Sequence, residues 1–264
     1  MKNLFTKNEI INGLEALGDT RGRAVLVHSA VRLTGVDATL LLDALIEHFT
    51  KDNGLLCIPT HTWHRLDEDI VLDMESDDNC LGILPRIAIK DGRGVRSKNP
   101  THSMVVFGNR ERALEFIKED EFVTTPTAPE SAYGKLYAES GYVLLLGVAH
   151  DKNTYLHAVD EILGTKNRME EKFFTVRVKD GNKITERDFK LFYCDYTNDI
   201  STRFTKYETA FRYHRAITDG FVGNAPTQLC DARIMKEVME LIYKLSDSDP
   251  LKKDGMIKQK WYCK

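Results

Sequence analysis

Four short apolar runs constrain this chain more than any other feature: Ala24-Val25-Leu26-Val27-His28, Leu55-Leu56-Cys57-Ile58, Met104-Val105-Val106-Phe107 and Val143-Leu144-Leu145-Leu146. Each is shorter than a globular helix and apolar at nearly every position, the pattern of a strand covered on both faces. Between them lie segments of helical period. Ala38 to Phe49 carries Leu40, Leu41, Leu45 and Phe49 on or near one face, Leu81 to Lys90 reads as a helix despite Pro85, and Glu111 to Lys118 reads as another. Met1 to Leu17 reads as an amphipathic helix, and Asp52-Asn53-Gly54 is turn chemistry. Beyond Glu171, strand-like alternation in Phe173 to Val178 and again around Phe189 to Tyr193, separated by Asp180-Gly181-Asn182, predicts a hairpin. Helices are then expected over roughly Phe204 to Ile217 and Gln228 to Leu245. Strands alternating with helices, followed by a hairpin, predict an α/β sandwich with a mixed sheet.

No Pro/Gly/Ser-rich linker or fixed-period repeat divides the 264 residues, so 1–264 reads as one domain. With 37 basic and 40 acidic residues and a formal charge of -3, the chain has no global field for a nucleic-acid backbone. Lys90, Arg93, Arg96 and Lys98 form a local basic cluster, read either as a site for a small phosphorylated ligand or as a solvated loop. No apolar run reaches the about 20 residues of a membrane helix, and the start lacks the core of a signal peptide, so no membrane association is expected. Cysteines at 57, 80, 194, 230 and 263 form no CxxC pair, which fits a reducing cytoplasm.

The chemistry-bearing stretch is Asn153-Thr154-Tyr155-Leu156-His157-Ala158-Val159-Asp160-Glu161, directly after the most apolar strand. A strand stopping at Gly147 and a helix beginning near Asn153 would expose His157 in the first turns, with Asp160 and Glu161 at spacings three and four. An imidazole oriented and kept basic by a carboxylate removes protons near neutral pH. The same residues also fit a plain helix start, with Asn153 or Thr154 as N-cap and the carboxylates offsetting the helix dipole. His28-Ser29-Ala30-Val31-Arg32 follows the first strand, where backbone amides and a hydroxyl can face an anionic ligand, and it is neither a Walker loop nor a dinucleotide fingerprint.

The order of segments LVHSAVRLTG, GLLCIPTHTW, GVRSKNPTHSMVVFG, SAYGKL, GYVLLLGV, NTYLHAVDE and FVGNAPTQLCDAR resembles the aminoglycoside 3-N-acetyltransferase family. The resemblance implies a three-layer α/β/α fold and direct acetyl transfer from acetyl-coenzyme A to an amine, without a metal. His157 corresponds to the family's catalytic histidine and Asp160 to its nearby Glu, with Glu161 adjacent as an alternative partner. The cofactor-binding residues expected are His28, Ser29, Ala30, Val31, Arg32, Ser97 and Thr154. Those expected at the acceptor are Thr60, Trp63, Asp67, His102 and Glu208. Asp67, Glu68, Asp69, Asp73, Glu75, Asp77 and Asp78 could supply an acidic pocket for a polycation, or simply a solvated loop. The chain departs from the family pattern at Asp160, at Asn99 where the motif reads RS-x-HP, and at Arg203 and Glu208. The partners implied are coenzyme A and a small amine; a homodimer is compatible with the sequence. An antibiotic as acceptor would make the activity one of antibiotic resistance.

Two other readings compete. His61-Thr62-Trp63-His64 with Asp67 and Asp69 has the ligand density of a metal-dependent hydrolase, though its spacing of three is not that of HExxH. A coenzyme A or small-molecule binding protein that kept the fold without the chemistry is the other.

Overall fold

The computed structural model describes residues 4–193, 199–246, 249–252 and 255–263. Helix α1 (Lys7–Glu15) begins with a capping box, in which the Glu9 amide donates to Thr6 Oγ1 and Glu9 accepts from the Thr6 amide at 2.8 Å. Then come β1 (Ala24–Ser29), the single turn α2 (Val31–Thr34), α3 (Ala38–Phe49), β2 (Leu55–Pro59), β3 (Leu72–Asp73), α4 (Ile83–Lys90) and β4 (Val95–Arg96). They are followed by β5 (Met104–Gly108), α5 (Arg110–Ile117), α6 (Ala132–Ala138), β6 (Tyr142–Leu146) and α7 (Tyr155–Ile162). The remainder holds β7 (Phe174–Asp180), β8 (Lys183–Phe189), α8 (Glu208–Tyr213), β9 (Ile217–Val222), β10 (Ala225–Asp231) and α9 (Ala232–Leu245). Pro85 falls in the first turn of α4, where its missing N–H costs no hydrogen bond.

Seven strands form one mixed sheet in the order β4-β5-β2-β1-β6-β10-β9. β1 pairs in parallel with both β2 and β6, while β5 and β10 run antiparallel on either side. The apolar runs explain the layers. Ala24, Leu26, Leu55, Cys57, Met104, Val106, Val143 and Leu145 enter one core with residues of α5, α6, α7, α8 and α9. Their alternating neighbours Val25, Val27, Leu56, Ile58, Val105, Phe107, Leu144 and Leu146 enter a second core with α1, α3 and α4. Because successive strand side chains point to opposite faces, a strand apolar throughout must be roofed twice, which is the three-layer α/β/α sandwich. A separate three-stranded sheet, β3-β7-β8, packs over a smaller core of Val71, Val123, Ala128, Val176 and Phe189.

Three expectations are corrected. The hairpin after Glu171 exists, but its second strand is Lys183–Phe189, because Gly181 at φ 58° closes a two-residue turn immediately after Asp180. Residues 191–193 instead lie against 168–170, with a bridge from Met169 to Phe192. The helix expected over Phe204 to Ile217 is a 3-10 segment (Ile200–Tyr207) and the short α8, and Ile217 already opens β9. The helix expected from Gln228 starts at Ala232, where Asp231 accepts from the Ile234 amide as N-cap. Residues 225–231 are a sheet strand.

The layout fixes where a site forms. From β1 the chain crosses to β2 on one side, while β6 occupies the other, so the parallel strands diverge at the carboxyl end of β1. Such a crevice at a topological switch point is where open α/β sheets bind ligands. Ser29, Pro59 and Leu146 end there, and antiparallel β5 begins there.

Candidate active site

Four histidines converge on this carboxyl edge. His28 is the penultimate residue of β1, and its buried Nε2 accepts from the Thr154 amide at 3.4 Å. His61 follows β2 and His102 precedes β5; the two segments extend the strand pairing through Thr60 N to Ser103 O (2.7 Å) and Thr62 N to Thr101 O (2.9 Å). That pairing brings the two rings to 4.3 Å between centroids. His61 Nε2 meets the Tyr133 hydroxyl of α6 at 2.8 Å, and His102 Nδ1 meets Thr101 Oγ1 at 2.9 Å. Asn99 sets the turn beneath His102: its Oδ1 accepts from the His102 amide at 3.0 Å and its Nδ2 donates to Pro126 O at 2.8 Å.

His157 lies in α7. Gly147, at φ 70°, turns the chain out of β6, and a 3-10 turn (His150–Lys152) leads into the helix. The His157 ring stacks on Phe192 at 4.3 Å and 23° and meets Phe204 edge-on at 4.8 Å. Phe192 in turn stands 5.1 Å from His102 at 82°. Tyr133, His61, His102, Phe192, His157 and Phe204 thus form one continuous row of rings along the strand ends.

Burial strips these imidazoles of their charge. It pushes His28 and His102 down to about 3, His157 to about 4 and His61 well below its ordinary range, with the neighbouring histidines adding to the effect at His61 and His102. His157 keeps part of its surface open to solvent. Among the described residues no group of three or more His, Cys, Asp or Glu is placed to hold a metal ion. The pair suspected of doing so diverges: His61 faces Tyr133, whereas His64 faces Asp78 at 3.1 Å.

A model of the aminoglycoside 3-N-acetyltransferase family matches residues 26–243. The chain belongs to this family. Aminoglycoside N(3)-acetyltransferase IV of Salmonella sp. is 29% identical over 160 residues, which cover 59% of this chain and 59% of that protein. The chain therefore aligns with about three fifths of that relative's length. Two solved structures share the fold. A histidine-to-alanine mutant of AAC(3)-IVa in complex with a gentamicin has 23% identity and TM-score 0.74, covering 90% of this chain and 87% of that one. AAC-IIIb binary with CoASH has 22% identity and TM-score 0.76, covering 93% and 99%.

Against the family expectation, neither carboxylate beside His157 bonds to it. Asp160 accepts from Arg168 Nε at 2.7 Å and from the Tyr243 hydroxyl at 2.9 Å. Glu161 accepts from Thr125 Oγ1 at 2.6 Å, from the Thr127 amide at 2.8 Å and from the Thr127 hydroxyl. Helical spacing put both within reach of His157, and stronger donors claimed them. Arg168 is held charged by Asp249 and Asp160 against the cost of burial.

Several other expected ligand contacts are internal ones. The Thr60 hydroxyl is fully buried against Ser103 Oγ at 2.8 Å, and buried Ser97 accepts from the Met104 amide at 3.1 Å. The Ala30 amide donates to Leu146 O at 2.9 Å. Ser29, Val31 and the exposed Arg32 stay at the crevice mouth, as do half-exposed Trp63 and exposed Asp67 on the loop after β2. Thr154 meets His28 through its amide alone. Glu208 is committed to Arg212 at 2.8 Å and Gln228 at 3.1 Å, apart from the row of rings. Arg203 donates to Leu251 O at 2.8 Å and ties down the tail.

The acidic loop is largely neutralised: Glu68 pairs with Arg65, Asp69 with Arg177, Asp73 with Lys179 and Asp77 with Lys90, and Asp78 lies 4.0 Å from Arg65. The basic cluster is equally spent. Arg93 binds Asp43 and Asp91, Lys98 binds Asp180, and Arg96 donates to the carbonyls of Asp73 and Ser76. Cys57, Cys80, Cys230 and Cys263 are free thiols; Cys194 lies outside the described residues. No helix of the described residues is long and apolar enough to cross a membrane.

The histidines set an acid limit on stability. An unfolded histidine takes its proton near 6.5, and these four do so only well below that when folded, so the stability of their neutral forms is complete above pH 6.5 and is lost as pH falls. Burial raises Asp120 to about 6 and also raises Asp160 and Glu161, which bind protons first in the folded chain and oppose the loss. Burial also lowers His150, to about 4, and His48, so six histidines stand against three carboxyls and the net slope has the sign of the histidines. Thermal melts are expected to give a lower Tm at pH 5 than at pH 7; an equal or higher Tm at pH 5 would contradict this balance.

Proposed function

We propose that this chain is an acetyl-coenzyme A-dependent N-acetyltransferase that acetylates an amino group of an aminoglycoside or another small amine by direct transfer, with His157 as the base. The observation that carries the reading is a neutral, partly accessible imidazole in the α7 turn at the carboxyl edge of β6, in a chain of the aminoglycoside 3-N-acetyltransferase family. The names of its neighbours, one binary with CoASH and one in complex with a gentamicin, support the same pair of substrates.

His157 is a weak base, and that limits its task. It cannot efficiently strip a free ammonium ion, whose pKa lies far above 4, so the amine must arrive unprotonated. As the amine nitrogen bonds to the thioester carbonyl carbon it gains positive charge and its proton becomes acidic. His157 then takes that proton as the coenzyme A thiolate leaves. The carbonyl oxygen needs donors while it carries charge. The Ala30 amide is spent, which leaves the first-turn amides of Val31 and Arg32 for that role, since a helix cannot pair its own first N–H groups. Arg32, exposed at the crevice mouth, suits the phosphates of coenzyme A.

The test is release of free thiol from acetyl-coenzyme A over a panel of amines that includes gentamicin and apramycin. Acceptor-dependent release is expected, with an acetylated product detected by mass. Calorimetric binding of acetyl-coenzyme A without release on any amine would instead support a non-catalytic binder.

A further inference from the structure

The reading of His157 as a base leaves its orientation unexplained, because both carboxylates on its own helix are bound elsewhere. We infer that Phe192 is the positioning residue of this site, holding the His157 imidazole by ring stacking in place of a carboxylate. The inference rests on the base reading above and goes beyond it.

The geometry carries the argument. A stacked ring at 4.3 Å and 23° fixes the plane of the imidazole, and the edge of Phe204 at 4.8 Å and 71° closes the other side. An imidazole in that slot keeps its ring nitrogens in a fixed plane without a hydrogen bond from Asp160 or Glu161. One short ladder makes the exchange. Tyr193 N donates to Arg168 O at 2.9 Å, Glu170 N donates to Leu191 O at 2.9 Å, and Met169 bridges to Phe192. The ladder therefore carries Arg168 to Asp160 on one of its segments and Phe192 to His157 on the other. Phe192 touches His102 as well, so it spaces the base from the histidine pair on the far side of the crevice.

Among the described residues, the titratable groups that act on His157 or feel its charge are His61 and His102 from the β2 and β5 ends, Arg168 behind α7, and Asp199 ahead of the 3-10 segment. Asp199 favours the imidazolium and Arg168 opposes it, so removing the apolar ring should let solvent in and move His157 toward its ordinary range.

Two readouts test this. Histidine ring signals are followed by NMR against pH in the wild type, in Phe192→Leu and in Phe192→Trp, with His157→Gln identifying the signal. The expected result is a His157 midpoint about one unit higher in Phe192→Leu and near the wild-type value in Phe192→Trp. With acetyl-coenzyme A and gentamicin, kcat in Phe192→Leu should fall about tenfold or more, while KM for acetyl-coenzyme A stays within about twofold. A wild-type midpoint and kcat in Phe192→Leu would overturn the inference. So would a loss equal in the Leu and Trp variants with the midpoint unmoved, since that marks mere packing. The NMR arm decides the matter even if gentamicin is not an acceptor. If His157→Gln keeps full turnover, the base reading fails, and this inference with it.

Discussion

His157→Ala is expected to lower acetyl transfer by about 100- to 10,000-fold, the usual contribution of a positioned general base. KM for acetyl-coenzyme A should change by less than about twofold, because the imidazole acts on the acceptor nitrogen and not on the cofactor. The accompanying pH profile is the sharper measurement. Burial holds His157 down to about 4, so the base is already neutral from weakly acidic to basic pH. Below neutral pH the rate should follow the fraction of unprotonated amine, and once that is divided out kcat should be flat down to about pH 5. An imidazole held by a carboxylate would behave differently. Its pKa would lie at or above about 6.5, and the corrected rate would already fall between about pH 7 and 6. A corrected acid limb near neutrality would show that Asp160 or Glu161 reaches His157 in the working enzyme. Near-normal turnover in His157→Ala would remove the histidine from the mechanism.

The sheet was legible wherever the sequence is apolar without interruption. Leu26 and Val25 head for opposite cores, and a run with both kinds of neighbour is a strand between two helical layers. The β9 and β10 pair escaped because its members are half exposed: Thr218, Asp219 and Phe221 face water, and the apolar positions of 228–245 suggested one long helix. A signal was present. Val222 pairs with Ala225 across Gly223-Asn224, with Gly223 at φ 58°, and a two-residue Gly-Asn turn marks a hairpin. At the site, chain order and strand ends brought His28, His61, His102 and His157 into view. The partners did not follow from spacing. Arg168 reaches Asp160 from the next ladder, Tyr133 reaches His61 from 72 residues away, and Phe192 sits in a segment read as a strand. Local periodicity reports which residues share a helix face; it carries no information on which donor from elsewhere will outcompete a neighbour.

Asp160→Asn separates the two roles that this carboxylate could have. Asp160 and Arg168 have side chains 1% and 3% exposed and meet at 2.7 Å, so the substitution leaves a guanidinium in the interior with one partner fewer. Removing one member of a buried pair costs about 3–5 kcal/mol, and the lower end applies here because Asp249 still holds Arg168 at 2.7 Å. For a chain of this size about 3 kcal/mol corresponds to a fall in Tm of roughly 6–12 °C. The double variant Asp160→Leu with Arg168→Met removes both charges together and should recover part of that loss, since an apolar pair of similar volume is often neutral or stabilising. Asp249 is left without its arginine in the double variant but is 18% exposed, so water can take over its hydrogen bonds. Catalysis should respond in the opposite sense. Assayed well below its Tm, Asp160→Asn is expected to keep kcat within a few-fold and to leave the pH profile unmoved, because no hydrogen bond links Asp160 to His157. A large loss of kcat at wild-type stability would reverse the assignment and return Asp160 to the proton-transfer machinery; loss of stability with kcat retained makes it the anchor that ties α7 to the ladder carrying Arg168.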